Sequence, residues 1–323
     1  MAIQWLLGGH PVYVVSTCKW SRAASIMMYH LLLKTVNTQM SAGVSHGQPY
    51  LLQYDLDDGE DVEKAVNDLS QEASGGSLYV IADEAGPDWM LRHFKTFCDK
   101  LLRQVSGLHL WAASCFFRDA TSDDWQVEYL TRPLRSPPAV VKEVEKDRYI
   151  AEHHEVMKYK ERGVPDHTDG PPVIRLYHLG QSHAGRRPLD CVTCGREVAS
   201  FLHSLRVGAT ENITTTSRLD CTTPPCLQWR NVVVLCVVNV SENSGTVKGL
   251  KEAGIPVRVM KDEDIEDVAT ARSDVVWVTR GHYVRGLERK VVVCLVDVDV
   301  NADVRLHFMS RCTSQLVIVS PYN

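Results

Sequence analysis

Strand-length apolar runs alternate with segments of helical period along most of the 323 residues, and this alternation restricts the chain to the α/β class. A run such as Val232-Val-Val-Leu-Cys-Val-Val238 is apolar on both faces of any strand it forms. The alternation is the pattern of layered α/β domains with mostly parallel sheets. In the first third the pattern predicts strands over 12–16, 51–56, 78–82 and 108–114, with helices over 21–35, 57–70 and 88–105. Ala24, Met27, Met28, Leu31 and Leu32 give the first of these helices its apolar face, and the acidic run from Asp55 to Glu63 suits the start and solvated side of the second. From about 118 to 169 proline, charge and mixed polar residues take over, which predicts a polar connector and a boundary between domains 1–130 and 131–323. A second alternation follows. Its strands are expected over 173–177, 232–238, 257–260, 275–279, 291–298 and 316–320, and its helices over 195–205, 245–253 and 302–311.

Apolar residues make up 44% of the chain and charged residues 23%, enough to build two packed cores and too apolar for a disordered chain. A formal charge of -5 argues against binding nucleic acid through net charge, while leaving room for a local basic groove. No apolar run has the length of a bilayer span, and the first residues lack a basic leader and a small-residue cleavage site. The expectation is a cytoplasmic or nuclear protein with no membrane partner. The ten cysteines, among them Cys236 and Cys294 inside apolar strands, fit reduced, buried thiols.

Two places carry chemistry. Leu78-Tyr-Val-Ile-Ala-Asp83-Glu84 delivers adjacent carboxylates to the end of a strand, where open α/β sheets hold their ligands. Such a pair can hold Mg²⁺ and orient an attacking water, although acidic residues also end strands simply to cap the next helix. Near the end of the chain Gly286-Leu287-Glu288 leads into a strand, and Ser310-Arg311 closes an expected helix. An arginine held there can neutralise charge on a transferred phosphoryl group, or pair with a local carboxylate.

In order, these segments resemble the motifs of superfamily 1 (UvrD-like) DNA and RNA helicases, P-loop NTPases built from two RecA-like α/β domains. Val14-Val-Ser16-Thr17 resembles motif Ia, which touches single-stranded nucleic acid, and Asp83-Glu84-Ala85 resembles motif II, the Walker B element. The stretch 108–114 stands at motif III without the Gly-Asp-x-x-Gln pattern. Leu134-Arg135-Ser136 resembles motif IV, Gly286-Leu287-Glu288 motif V and Ser310-Arg311 motif VI. The resemblance implies ATP and Mg²⁺ as cofactors, with Asp83 on the magnesium, Glu84 on the attacking water, Arg311 as the finger, and Arg135, Gly286 and Glu288 on the nucleotide. Single-stranded nucleic acid or a protein is the implied partner.

The phosphate-cradling pattern G-x-x-x-x-G-K-[ST] is absent from these residues, and the first nine read as the last turns of the helix that follows it in the family. The expectation is therefore a truncated or degenerate form whose first domain lacks the P-loop strand: a fragment of a longer protein or an incomplete gene model, with an open slot beside the motif II-like strand, or a relic that has repacked its first domain. Tight ATP binding is not expected, and the alternative is a non-catalytic scaffold that binds a protein or nucleic acid.

A separate constellation, His178, His183, Cys191 and Cys194, has the residue types and spacing of a tetrahedral zinc site. Ordinary thiols flanking a helix are the competing reading, and they apply equally to Cys221 and Cys226. Trp89 and Trp125 could stack on bases, whereas Trp111 and Trp277 lie within apolar strands and are expected in the core.

Overall fold

The computed structural model of the chain describes residues 1–39, 46–73, 76–85, 91–113, 126–128, 130, 135–153, 156, 159, 169–211, 227–297 and 300–321. Trp89, Trp125, Cys221 and Cys226 lie outside the described residues. The chain is an α/β protein with two all-parallel sheets, of four and six strands. It divides into two compact units, Met1–Leu130 with Tyr283–Leu287, and Thr131–His282 with Glu288–Asn323. Among the described residues no helix is long and apolar enough to cross a membrane.

The first unit contains α1 (Ala2–Leu7), β1 (Val12–Ser16), α2 (Arg22–Gln39), β2 (Pro49–Gln53), α3 (Gly59–Gln71), β3 (Ser77–Ala82), α4 (Leu91–Gln104) and β4 (Gly107–Ala112). Its strands lie in the order β2-β1-β3-β4. All of β1 is buried, because alternate side chains enter two different cores. Val12 and Val14 join Leu6, Leu32, Val36 and Ile81. Tyr13 and Val15 join Val66, Leu69, Val80, Phe97 and Leu101 on the other face. The acidic run opens α3: the Asp58 carboxylate accepts the Glu60 N–H at 3.0 Å, and Glu60 and Asp61 occupy the first turn, where the helix dipole favours them.

Two expectations fail here. Strand β3, which carries the motif II-like residues, is paired on both sides, with β1 and with β4, so the open-slot alternative fails. As the last strand of this sheet, β4 is covered less completely than its neighbours, and Trp111 is 44% exposed rather than core. Trp277, by contrast, is 1% exposed.

The second unit contains α5 (Pro138–Lys146), α6 (Arg148–Ala151), β5 (Ile174–Tyr177), α7 (Val192–Glu211), β6 (Val232–Cys236), α8 (Gly245–Glu252), β7 (Val257–Val259), α9 (Ile265–Thr270), β8 (Val276–Arg280), β9 (Arg289–Leu295), α10 (Ala302–Met309) and β10 (Cys312–Ser320). The strand order is β5-β10-β9-β6-β8-β7. Val198 and Leu202 of α7 and Val247 and Leu250 of α8 pack on Val232, Val234, Val291, Val293, Val317 and Val319. Burying each such side chain fully contributes about 1.5–3 kcal/mol. The two helices meet at glycines. A Cβ on Gly249 would lie 2.2 Å from the Val192 carbonyl oxygen, and one on Gly195 would lie 2.3 Å from that of Thr246.

The expected solvated connector is in part packed structure. Val140 and Val144, four residues apart on α5, are buried together with Ile150 of α6. Asp147 caps α6 through the Tyr149 and Ile150 amides and pairs with Arg305 of α10 at 3.0 Å. A second correction concerns Arg311: α10 ends at Met309, so this arginine stands in the turn before β10 and not on the helix.

Candidate functional sites

Because β1 and β3 are parallel neighbours with Val15 opposite Ala82, their following residues leave the sheet side by side at its C-terminal edge. Ser16 and Thr17 are 0% and 2% exposed. The Ser21 hydroxyl organises their turn by accepting the Thr17 and Cys18 amides at 2.9 and 3.1 Å, while the Ser16 hydroxyl lies 3.0 Å from Ser21 Oγ. Thr17 Oγ1 is buried with no hydrogen-bond partner among the described residues. Beyond β3, Asp83 Oδ1 accepts the Glu84 amide at 3.0 Å, and Glu84 is 7% exposed with φ of 51°. A left-handed non-glycine residue costs roughly 1–3 kcal/mol and recurs at ligand sites.

Gly286 belongs to the same compact unit, with φ of 73°. A Cβ there would meet Ala24 Cβ at 2.5 Å and Glu84 Cγ at 3.3 Å. Only glycine fits this position, which sets the motif V-like backbone against the motif II-like glutamate.

The other motif-like residues gather at the N-terminal edge of the second unit's sheet. Arg135 Nη1 lies 3.0 Å from Glu288 Oε2, just before β9. Ser136 Oγ donates to the Ser310 carbonyl at 3.3 Å, and Arg289 N–H donates to the Arg311 carbonyl at 3.0 Å. Arg311 Nη2 is 3.1 Å from His307 Nδ1. Arg135, Ser136, Glu288 and Arg311 thus lie together before β9 and β10, with Arg135 and Glu288 paired to each other.

The zinc-type constellation lies at the opposite, C-terminal edge of that sheet. His178 follows β5, His183 sits in the next turn, and Cys191 and Cys194 flank the start of α7. The four ligand atoms lie within 4.8 Å of one another. Cys194 Sγ is 3.3 Å from His178 Nδ1 and 3.4 Å from His183 Nδ1, and Cys191 Sγ is 3.5 Å from His183 Nδ1. The Cys194 amide donates to Cys191 Sγ at 3.5 Å, at the start of α7.

The outer nitrogens face oxygen atoms. His178 Nε2 lies 3.2 Å from the Gly185 carbonyl, which can only accept, and His183 Nε2 lies 3.5 Å from a Glu197 carboxylate oxygen. In a neutral ring that donates from Nε2 to these oxygens, the Nδ1 lone pair faces the cysteine sulfurs. Burial pushes the Cys194 thiol well above its usual range, and the neighbouring Cys191 adds to the effect. In that state Cys194 is a neutral thiol; it would become a thiolate only if a cation displaced its proton.

The spacing H-x₄-H-x₇-C-x₂-C was visible in sequence. The supporting Glu197 was not, since one carboxylate on a helix has no distinguishing neighbours. No protein-family model matches the chain, and no curated protein matches it.

Proposed function

We propose that the chain is a superfamily 1 helicase-like NTPase core of degenerate type, acting as a scaffold that binds single-stranded nucleic acid or a protein and turning over no nucleotide by itself. The observation that carries the reading is the in-register pairing of β1 with β3, which brings Ser16, Thr17, Asp83 and Glu84 to one sheet edge with Gly286 against Glu84. Parallel pairing sets the first two segments side by side, and the close approach of Gly286 to Glu84 adds the third.

On this reading the first unit retains the magnesium and water-orienting carboxylates, Asp83 and Glu84. The second retains the nucleotide-facing set, Arg135, Glu288 and Arg311. ATP with Mg²⁺ is the cofactor this set is suited to. Two features argue against turnover by the chain alone. Its 323 residues contain no G-x-x-x-x-G-K-[ST] segment, so they supply neither the nest of amides nor the lysine that hold β- and γ-phosphates. Moreover, the Arg135–Glu288 ion pair occupies both groups with each other.

Mg²⁺-dependent ATP hydrolysis, measured with and without single-stranded DNA or RNA, tests the proposal. The expected rate equals that of the Glu84→Gln variant in both conditions. Hydrolysis stimulated by nucleic acid and abolished in Glu84→Gln would overturn the non-catalytic reading. Fluorescence anisotropy with labelled oligonucleotides then separates the two partner classes, a salt-sensitive rise indicating nucleic acid.

A further inference from the structure

We infer that His178, His183, Cys191 and Cys194 hold one zinc ion in a closed, structural site that locks a loop over the C-terminal edge of the second sheet. Zn–S distances of about 2.3 Å and Zn–N distances of about 2.0–2.1 Å in a tetrahedron place neighbouring sulfur and nitrogen ligands roughly 3.5 Å apart. The observed separations of 3.3, 3.4 and 3.5 Å match that spacing. Two imidazole nitrogens and two thiols face one another with all four ligand atoms within 4.8 Å. Zn²⁺ would displace the two thiol protons and leave a neutral Zn(Cys)₂(His)₂ core, which a buried position can carry. Four protein ligands leave no coordination position for a substrate, so the metal's role is to hold structure.

What it holds follows from the loop between the ligands. Thr246 Oγ1, in the first turn of α8, donates to the Pro188 carbonyl at 2.7 Å, and a Cβ on Gly245 would lie 2.2 Å from the Asp190 carbonyl oxygen. Arg187 reaches Asp297, beyond β9, at 3.6 Å. The loop therefore covers the helix N-terminus and strand ends where an open α/β sheet would otherwise take an anionic ligand. The inference is independent of the nucleotide reading, whose residues in this unit lie at the opposite sheet edge.

The test uses the full chain. Zinc supplied during expression and measured by elemental analysis after dialysis is expected at about one equivalent, and Co²⁺ substitution is expected to give the intense visible bands of a tetrahedral ion with thiolate charge transfer. Cys191→Ala/Cys194→Ala should lose at least about nine-tenths of the metal, whereas Cys221→Ala/Cys226→Ala should keep it. Glu197→Gln should bind zinc with about tenfold lower affinity at unchanged stoichiometry. Less than about half an equivalent in the native chain, a weak octahedral cobalt spectrum, or metal lost with Cys221 and Cys226 overturns the proposal. If the Cys191→Ala/Cys194→Ala variant fails to fold, the cobalt spectrum of the native chain decides. An unchanged affinity in Glu197→Gln removes that residue from the site.

Discussion

Replacing Gly249 by alanine pits helix propensity against packing, and the two forces predict opposite signs. An interior glycine in α8 costs roughly 0.8–1 kcal/mol relative to alanine, so propensity alone makes Gly249→Ala stabilising. The added methyl, however, would sit 2.2 Å from the Val192 carbonyl oxygen and 2.9 Å from both Arg196 N and Gly195 Cα. All three are backbone atoms of α7, so no side chain can rotate away. Ordinary carbon contacts lie near 3.5 Å, so α7 and α8 must part by about 1 Å. Overpacking of this kind costs about 1–3 kcal/mol, so the net change after the propensity gain is a loss of up to about 2 kcal/mol. For a unit of this size the melting temperature should fall by up to roughly 8 °C. Val192 adjoins Cys191, so zinc affinity should fall as well. Gly59→Ala, at the first position of α3 with nothing within 4 Å of its added Cβ, is the control and should leave stability unchanged or slightly higher. Thermal unfolding followed by circular dichroism measures both variants. A Gly249→Ala protein as stable as Gly59→Ala would show that the helices are not in the close contact described.

Other outcomes follow from burial. Asp147→Ala removes the α6 cap and strands Arg305, whose side chain is only 17% exposed, so a loss of about 3–5 kcal/mol is expected in denaturant titration. Arg148→Ala breaks an i,i+4 pair whose side chains are 83% and 66% exposed, and should cost less than about 0.5 kcal/mol. Trp277→Ala should cost about 3–5 kcal/mol and Trp111→Ala far less, a contrast that equal losses would refute.

The α/β class was legible because continuous apolar runs of strand length alternate so regularly with segments of period 3.6, and β1 shows why: every one of its residues is apolar or buried through a local hydrogen bond. Strand order was not legible. Nothing local to residues 78–82 says that β1 and β4 lie on either side, and the expected slot beside β3 came from placing a strand there without knowing its neighbours. The buried face of α5 and α6 was hidden because lysines and glutamates surround Val140, Val144 and Ile150, masking a narrow apolar stripe in a stretch whose charge suits a solvated helix. The four zinc-type ligands could be named from spacing. Their convergence depends on β10 pairing with β5 and on glycines that seat α7 against α8, both long-range facts.

Native mass spectrometry of the full chain, sprayed after incubation with zinc and Mg²⁺-ATP, tests the central claim most directly. The account predicts one dominant species, the chain carrying a single zinc ion and no nucleotide. A metal-free chain, or a species that retains ATP, would contradict it.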